Sequence, residues 1–103
     1  MNAAEDTTIV ALEGEIDLAM VPDAERRIGD AEASQPGRLI IDLSEVTFMD
    51  SSGLRVILTA HRRAEEAGRG FAIVKGGDTV NRLLEVTGLA ERLELLDEPP
   101  AAR

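Results

Sequence analysis

Asp50-Ser51-Ser52-Gly53 places a carboxylate, two hydroxyls and a glycine where a loop becomes a helix. The start of a helix presents unpaired N–H groups and a partial positive charge, and both favour a phosphate. A serine hydroxyl at this point can therefore accept a phosphoryl group without the helix end opposing the product. The same residues also suit an ordinary helix start with Asp50 or Ser51 as N-cap, so the motif by itself leaves both roles open. Asp17, at the end of Gly14-Glu15-Ile16-Asp17, is a further carboxylate at a boundary, where an acid also serves as a turn former.

Other chemistries find less support. His61 is the single histidine and lies nine residues beyond Ser52. On one helix the two would stand roughly 13 Å apart along the axis, outside hydrogen-bond reach, so no Ser-His nucleophile forms. The flanking sequence also lacks Gly-x-Ser-x-Gly. With no Trp or Tyr and two Phe there is little to stack on a sugar ring, which argues against a glycosidase. Gly76-Gly77 has neither the lysine nor the spacing of a phosphate-binding loop. One histidine and no cysteine leave most transition-metal sites without ligands, so neither metal nor cofactor is expected, nor is catalysis.

The elements that must position these residues alternate in type. TTIVALE at residues 7–13 reads as a strand ended by Gly14. Val21, Ala24, Ile28 and Ala31 then recur at helical spacing, with Pro22 suited to a first turn. After the turn cluster SQPG, residues 38–43, RLIIDL, form a continuous apolar run typical of a central strand covered on both faces. Leu54, Ile57, Leu58, His61 and Ala64 line a second helix that Gly68 stops. GFAIV at 70–74 is a third strand, and Asp78 or Thr79 can cap a helix carrying Val80, Leu83, Leu84 and Val86 to Gly88. Residues 92–96 allow a last short strand. The expected fold is one α/β domain over residues 1–97, with a mostly parallel, mixed central sheet of about four to five strands and helices packed against it. Residues 98–103 read as a disordered polar tail.

The chain's 103 residues suit a single core. Its formal charge is −9, with 20 acidic against 11 basic side chains, so nucleic acid is not an expected partner. No apolar run approaches a membrane span and no secretory leader is evident, so a cytoplasmic protein without membrane association is expected.

Three segments carry a family resemblance. VTFMDSSGLRVIL at 46–58 resembles the signature of STAS domains, GEIDLAMVPDAERRI at 14–28 is similar to the strand-to-helix segment upstream of it, and VNRLLEVTGLAERLEL at 80–95 is similar to the family's last helix and final strand. Together they cover most of residues 9–96 in the family's order. The resemblance to the anti-sigma factor antagonist type makes Ser52 the phosphate acceptor, with Asp17, Met49, Asp50, Ser51, Gly53 and Leu54 as the partner-binding surround. In that type the unmodified antagonist holds an anti-sigma factor that is also a serine kinase and binds the ATP. Phosphorylation ends the binding, and a phosphoserine phosphatase restores it. Asp17 and Asp50 would orient the partner's kinase chemistry or an ion on its nucleotide, and Gly53 would admit a partner backbone.

Family members usually carry another strand before the VALEGEID-like one, where this chain has about eight residues. The strand at 7–13 is then an exposed sheet edge, open to a homodimer through edge pairing. STAS domains also serve as accessory parts of transporters and signalling scaffolds without obligatory phosphorylation. The intact serine pair after Asp50 favours the antagonist.

Overall fold

RLIIDL does more in the fold than its length suggests. In the computed structural model, which describes residues 6–100, it opens a strand that runs on to Met49 and takes the central position. The strands are β1 (Thr7–Ile16), β2 (Arg38–Met49), β3 (Gly70–Val74) and β4 (Glu94–Leu96), in sheet order β1-β2-β3-β4 with every neighbouring pair parallel. No antiparallel member occurs among the described residues. Each parallel step needs a crossover, which α1 (Val21–Ala33), α2 (Ser51–Ala67) and α3 (Asp78–Val86) with the short α4 (Leu89–Arg92) supply.

A strand order that advances one way through right-handed crossovers sets its helices on one face of the sheet. Accordingly Ala24, Ile28, Ile57, Ala60, Val80, Leu84 and Leu89 share one buried cluster with Leu39, Ile41, Leu43 and Ile73. The opposite side chains Ile40, Ala72 and Val74 form a second, smaller cluster with Leu96. Burial on both sides is why β2 reads as an unbroken apolar run. Each fully buried Leu or Ile stabilises the fold by about 1.5–3 kcal/mol.

The strand boundaries at residues 13 and 43 fall short because both strands are irregular. The β1–β2 register shifts between Ala11 and Glu13 and again between Gly14 and Glu15, with the extra residues on β2. The Asp42 carboxylate accepts the Ser44 amide at 2.9 Å and so holds the first bulge. Turn-forming Asp42 and Ser44 look like a strand end in sequence, but the ladder resumes as far as the Ile16–Met49 pair. On the helix side, Arg27 of α1 donates to the Ala11 carbonyl at 3.2 Å, at the first irregularity.

The second helix begins at Ser51 and ends at Gly68, whose φ of +70° lets the amides of Gly68 and Arg69 return to Glu65 and Ala64. Arg63 Nε donates to both Glu32 oxygens at 2.9 and 3.1 Å, joining α2 to α1. Two expectations about α3 need correction. Its N-cap is Gly77 without a side-chain bond, and Asp78 is already inside the first turn. Val86 is 75% exposed because the helix buries only Val80 and Leu84 before closing at Thr87. Arg92, expected in the last strand, belongs to α4. Asp97–Pro100 are exposed, and residues 101–103 of the expected tail lie outside the described residues. No described helix is long and apolar enough to cross a membrane.

Candidate functional site

Ile16 and Met49 are the last paired residues of β1 and β2, and both are buried. The residues that follow, Asp17 and Asp50, are therefore neighbours at the carboxyl ends of adjacent parallel strands. The Asp50 amide donates to the Ile16 carbonyl at 3.4 Å, tying the two exits together.

Both aspartates then do the same local work. Asp17 is extended (φ −108°, ψ −173°) and its carboxylate accepts the Met20 amide at 3.3 Å, capping a 3-10 turn at Leu18–Met20. Asp50 is extended (φ −112°, ψ −166°) and its carboxylate accepts the Ser52 amide at 2.9 Å, capping α2. The turn-former and helix-cap roles open in the sequence are both filled. Each carboxylate also keeps acceptor capacity beyond that one bond.

Ser51 and Ser52 are the first two residues of α2, Ser51 exposed and Ser52 half-buried. Neither hydroxyl makes a hydrogen bond among the described residues. The Ser52 hydroxyl thus stands at the positive end of a 17-residue helix with no internal partner to displace.

Met49, Gly53 and Leu54 hold this geometry from below. Met49 and Leu54 belong to the main core cluster. A Cβ on Gly53 would stand 2.5 Å from Met49 Cγ and 3.0 Å from Ile16 Cγ2. Gly53 therefore lets the first turn of α2 settle onto the Ile16–Met49 pair. His61 is turned to other company, its ring 5.4 Å from that of Phe71 and its Nε2 3.7 Å from Glu65. His61, the single histidine, is therefore occupied away from the two serines.

Sequence reasoning missed two apolar residues beside the site. Leu18, directly after Asp17, is 73% exposed, and Phe48, two residues before Asp50, is 43% exposed. The available signal for Leu18 was an apolar residue that follows a turn former and precedes the helical repeat begun at Val21. For Phe48 the bulges in β2 hide which way the side chain faces.

Comparison with known proteins identifies the family. Residues 1–99 match the family described as the STAS domain. An anti-sigma-F factor antagonist of Mycobacterium tuberculosis is 31% identical over 87 residues, 84% of this chain and 70% of that protein. The crystal structure of an anti-sigma factor antagonist from Mycobacterium paratuberculosis superposes with a TM-score of 0.83 at 32% identity, covering 91% of this chain and 80% of that one. The anti-sigma factor antagonist SpoIIAA in its unphosphorylated form superposes with a TM-score of 0.74 at 25% identity, covering 89% and 81%.

Proposed function

Because this chain belongs to the STAS domain family, we propose that it is an anti-sigma factor antagonist whose partner-binding state is set by phosphorylation of Ser52. Unmodified, it holds an anti-sigma factor that is a serine kinase carrying its own ATP. Modified, it lets that partner go until a phosphoserine phosphatase resets it. The observation that carries this reading is the Ser52 hydroxyl: half-buried, without a hydrogen bond among the described residues, and at the start of α2 beside the joined exits of Asp17 and Asp50. SpoIIAA, solved in a form named unphosphorylated, supports it as a relative.

The physics of the switch is electrostatic. A phosphate adds about −1.5 to −2 charges at pH 7, beside two carboxylates in a chain of net charge −9. The helix start accommodates the charge within this chain, whereas an interface pressed against it must desolvate it. Release therefore needs no change of fold. Leu18 and Phe48 supply apolar contact beside the switch, in keeping with binding energy concentrated in a few buried anchors.

Incubation with ATP and each candidate serine kinase of the anti-sigma type tests the reading, followed by intact mass and site mapping. One phosphate on Ser52, absent from Ser52→Ala, is the expected result. No phosphate with any of them, together with stable binding to a transporter ATPase, would replace it with an accessory-subunit role.

Among the described residues β1, a ten-residue strand, borders the sheet, and an edge of that kind would suit pairing with a second copy. A monomeric mass at high micromolar concentration would remove the homodimer.

A further inference from the structure

A groove of about 520 Å³ runs between α2 and the α3–α4 corner, apart from the sheet edge and reaching the start of α2 at Ser51. Its apolar lining is Leu54, Leu58 and Leu89, of which Leu54 and Leu89 are core residues at 7% and 3% exposure. Around these stand Arg55, Arg62 and Arg92, all exposed, and no lining residue is acidic.

Those arginines differ from most of the other described cations. Arg26, Arg27, Arg38, Arg63, Arg69 and Lys75 each sit within 4 Å of a carboxylate. Arg55, Arg62 and Arg92 have no ion pair or side-chain hydrogen bond among the described residues. Arg82, also without an ion pair among the described residues, lines a different surface together with Asp78 and Glu85. Among the described residues, three guanidinium groups thus stand unpaired around one apolar floor in a chain rich in acids.

We propose that this groove docks an acidic amphipathic helix of a partner protein. Charge complementarity fixes the sign of the occupant, since each guanidinium offers a fork suited to a carboxylate. The leucine floor requires apolar side chains between those carboxylates. A bare polyanion is disfavoured, because it would meet the net charge of −9 without covering the floor. The spacing specifies a helix: Arg55 and Arg62 are two turns apart on α2, about 10.5 Å along its axis, with Leu58 between them. A helix laid along α2 presents acids seven residues apart, and leucines three or four residues from each, at that same spacing. At physiological salt the Debye length is about 8 Å, so the local arginines act on a docked segment more than the molecule's overall charge does.

The test selects from a displayed random library of peptides about 16 residues long, enough for about four helical turns, on the full unmodified chain. Enriched peptides are then synthesised and titrated calorimetrically. The expected sequences combine leucines at helical spacing with Asp or Glu on the flanks. Their affinity should fall at least about tenfold in the triple variant Arg55→Gln, Arg62→Gln, Arg92→Gln, and should also weaken as salt is raised. The three side chains are exposed and unpaired, so the variant should keep its melting temperature; Leu58→Ser provides a second, uncharged disruption of the floor. Enrichment of non-acidic sequences, absence of enrichment, or full affinity in the triple variant would each overturn the proposal. No kinase or phosphate enters this measurement, so failure of the Ser52 reading and failure of this one are separate outcomes.

Discussion

The amide of Asp50 donates to the carbonyl of Ile16 across 3.4 Å, and that bond joins the exits of two parallel strands at the point where α2 begins. Asp17 and Asp50 thereby become neighbours although 33 residues separate them in the chain (50 − 17). Each caps the element that follows it.

Asp50→Ala removes the α2 cap and should cost about 0.5–2 kcal/mol in urea unfolding. Asp50→Asn caps nearly as well and should hold most of that stability. The pair therefore separates the cap from the charge. If Asp50→Asn binds the anti-sigma factor as the parent does, the carboxylate's charge has no part in recognition.

Gly53→Ala should destabilise despite the helix propensity of alanine, because the new methyl meets Met49 Cγ and Ile16 Cγ2. Overpacking of this kind costs about 1–3 kcal/mol, more than the roughly 1 kcal/mol gained by replacing a helical glycine. A melting temperature equal to or above the parent's would mean that Met49 moves aside freely.

Leu18→Ser should leave stability within about 0.5 kcal/mol, since the side chain is 73% exposed. Binding to the anti-sigma factor should nevertheless weaken at least about tenfold, as loss of an interface anchor does. Unchanged affinity by calorimetry would place the interface elsewhere.

Lys75 and Asp97 lie 2.9 Å apart at the ends of β3 and β4. Their hydrogen bond, then their charge attraction, holds the Asp97 carboxyl below its ordinary value and Lys75 above its own. Asp97 favours the folded state above its unfolded pKa, and that contribution disappears as pH falls through the lower folded value. Lys75 favours it below the ordinary lysine value, and that contribution disappears as pH rises through the raised one. Both are exposed, so the effect on stability is small. An NMR titration should show the Asp97 midpoint rising towards the ordinary range in Lys75→Met; an unmoved midpoint would show that the pair does not persist in solution.

Much of this was legible in the residues because the physics involved is local. The continuous run at Leu39–Leu43 announced a strand buried on both faces, and Gly68 announced the end of α2. The start of α2 was visible because a carboxylate, two hydroxyls and a glycine stand together before an apolar helix. What escaped depends on distant pairing. Asp42 and Ser44 mimic a strand end, and only the neighbouring β1 shows that the ladder resumes. The arginine groove escaped because Arg55 and Arg92 are 37 residues apart (92 − 55) and meet only when α4 packs back beside α2. That they make no ion pair among the described residues is likewise a property of the fold.

On the proposed function, phosphate on Ser52 ends partner binding without altering the fold. Titrating the anti-sigma factor kinase with unmodified protein and with protein carrying a single phosphate on Ser52, while recording backbone amide spectra of both forms, tests it most directly. The expected result is an affinity loss of at least about a hundredfold, equivalent to about 2.7 kcal/mol, with shift changes confined to the Asp17 turn and the first turns of α2. Equal affinity for the two forms, or shift changes spread through the sheet, would contradict it.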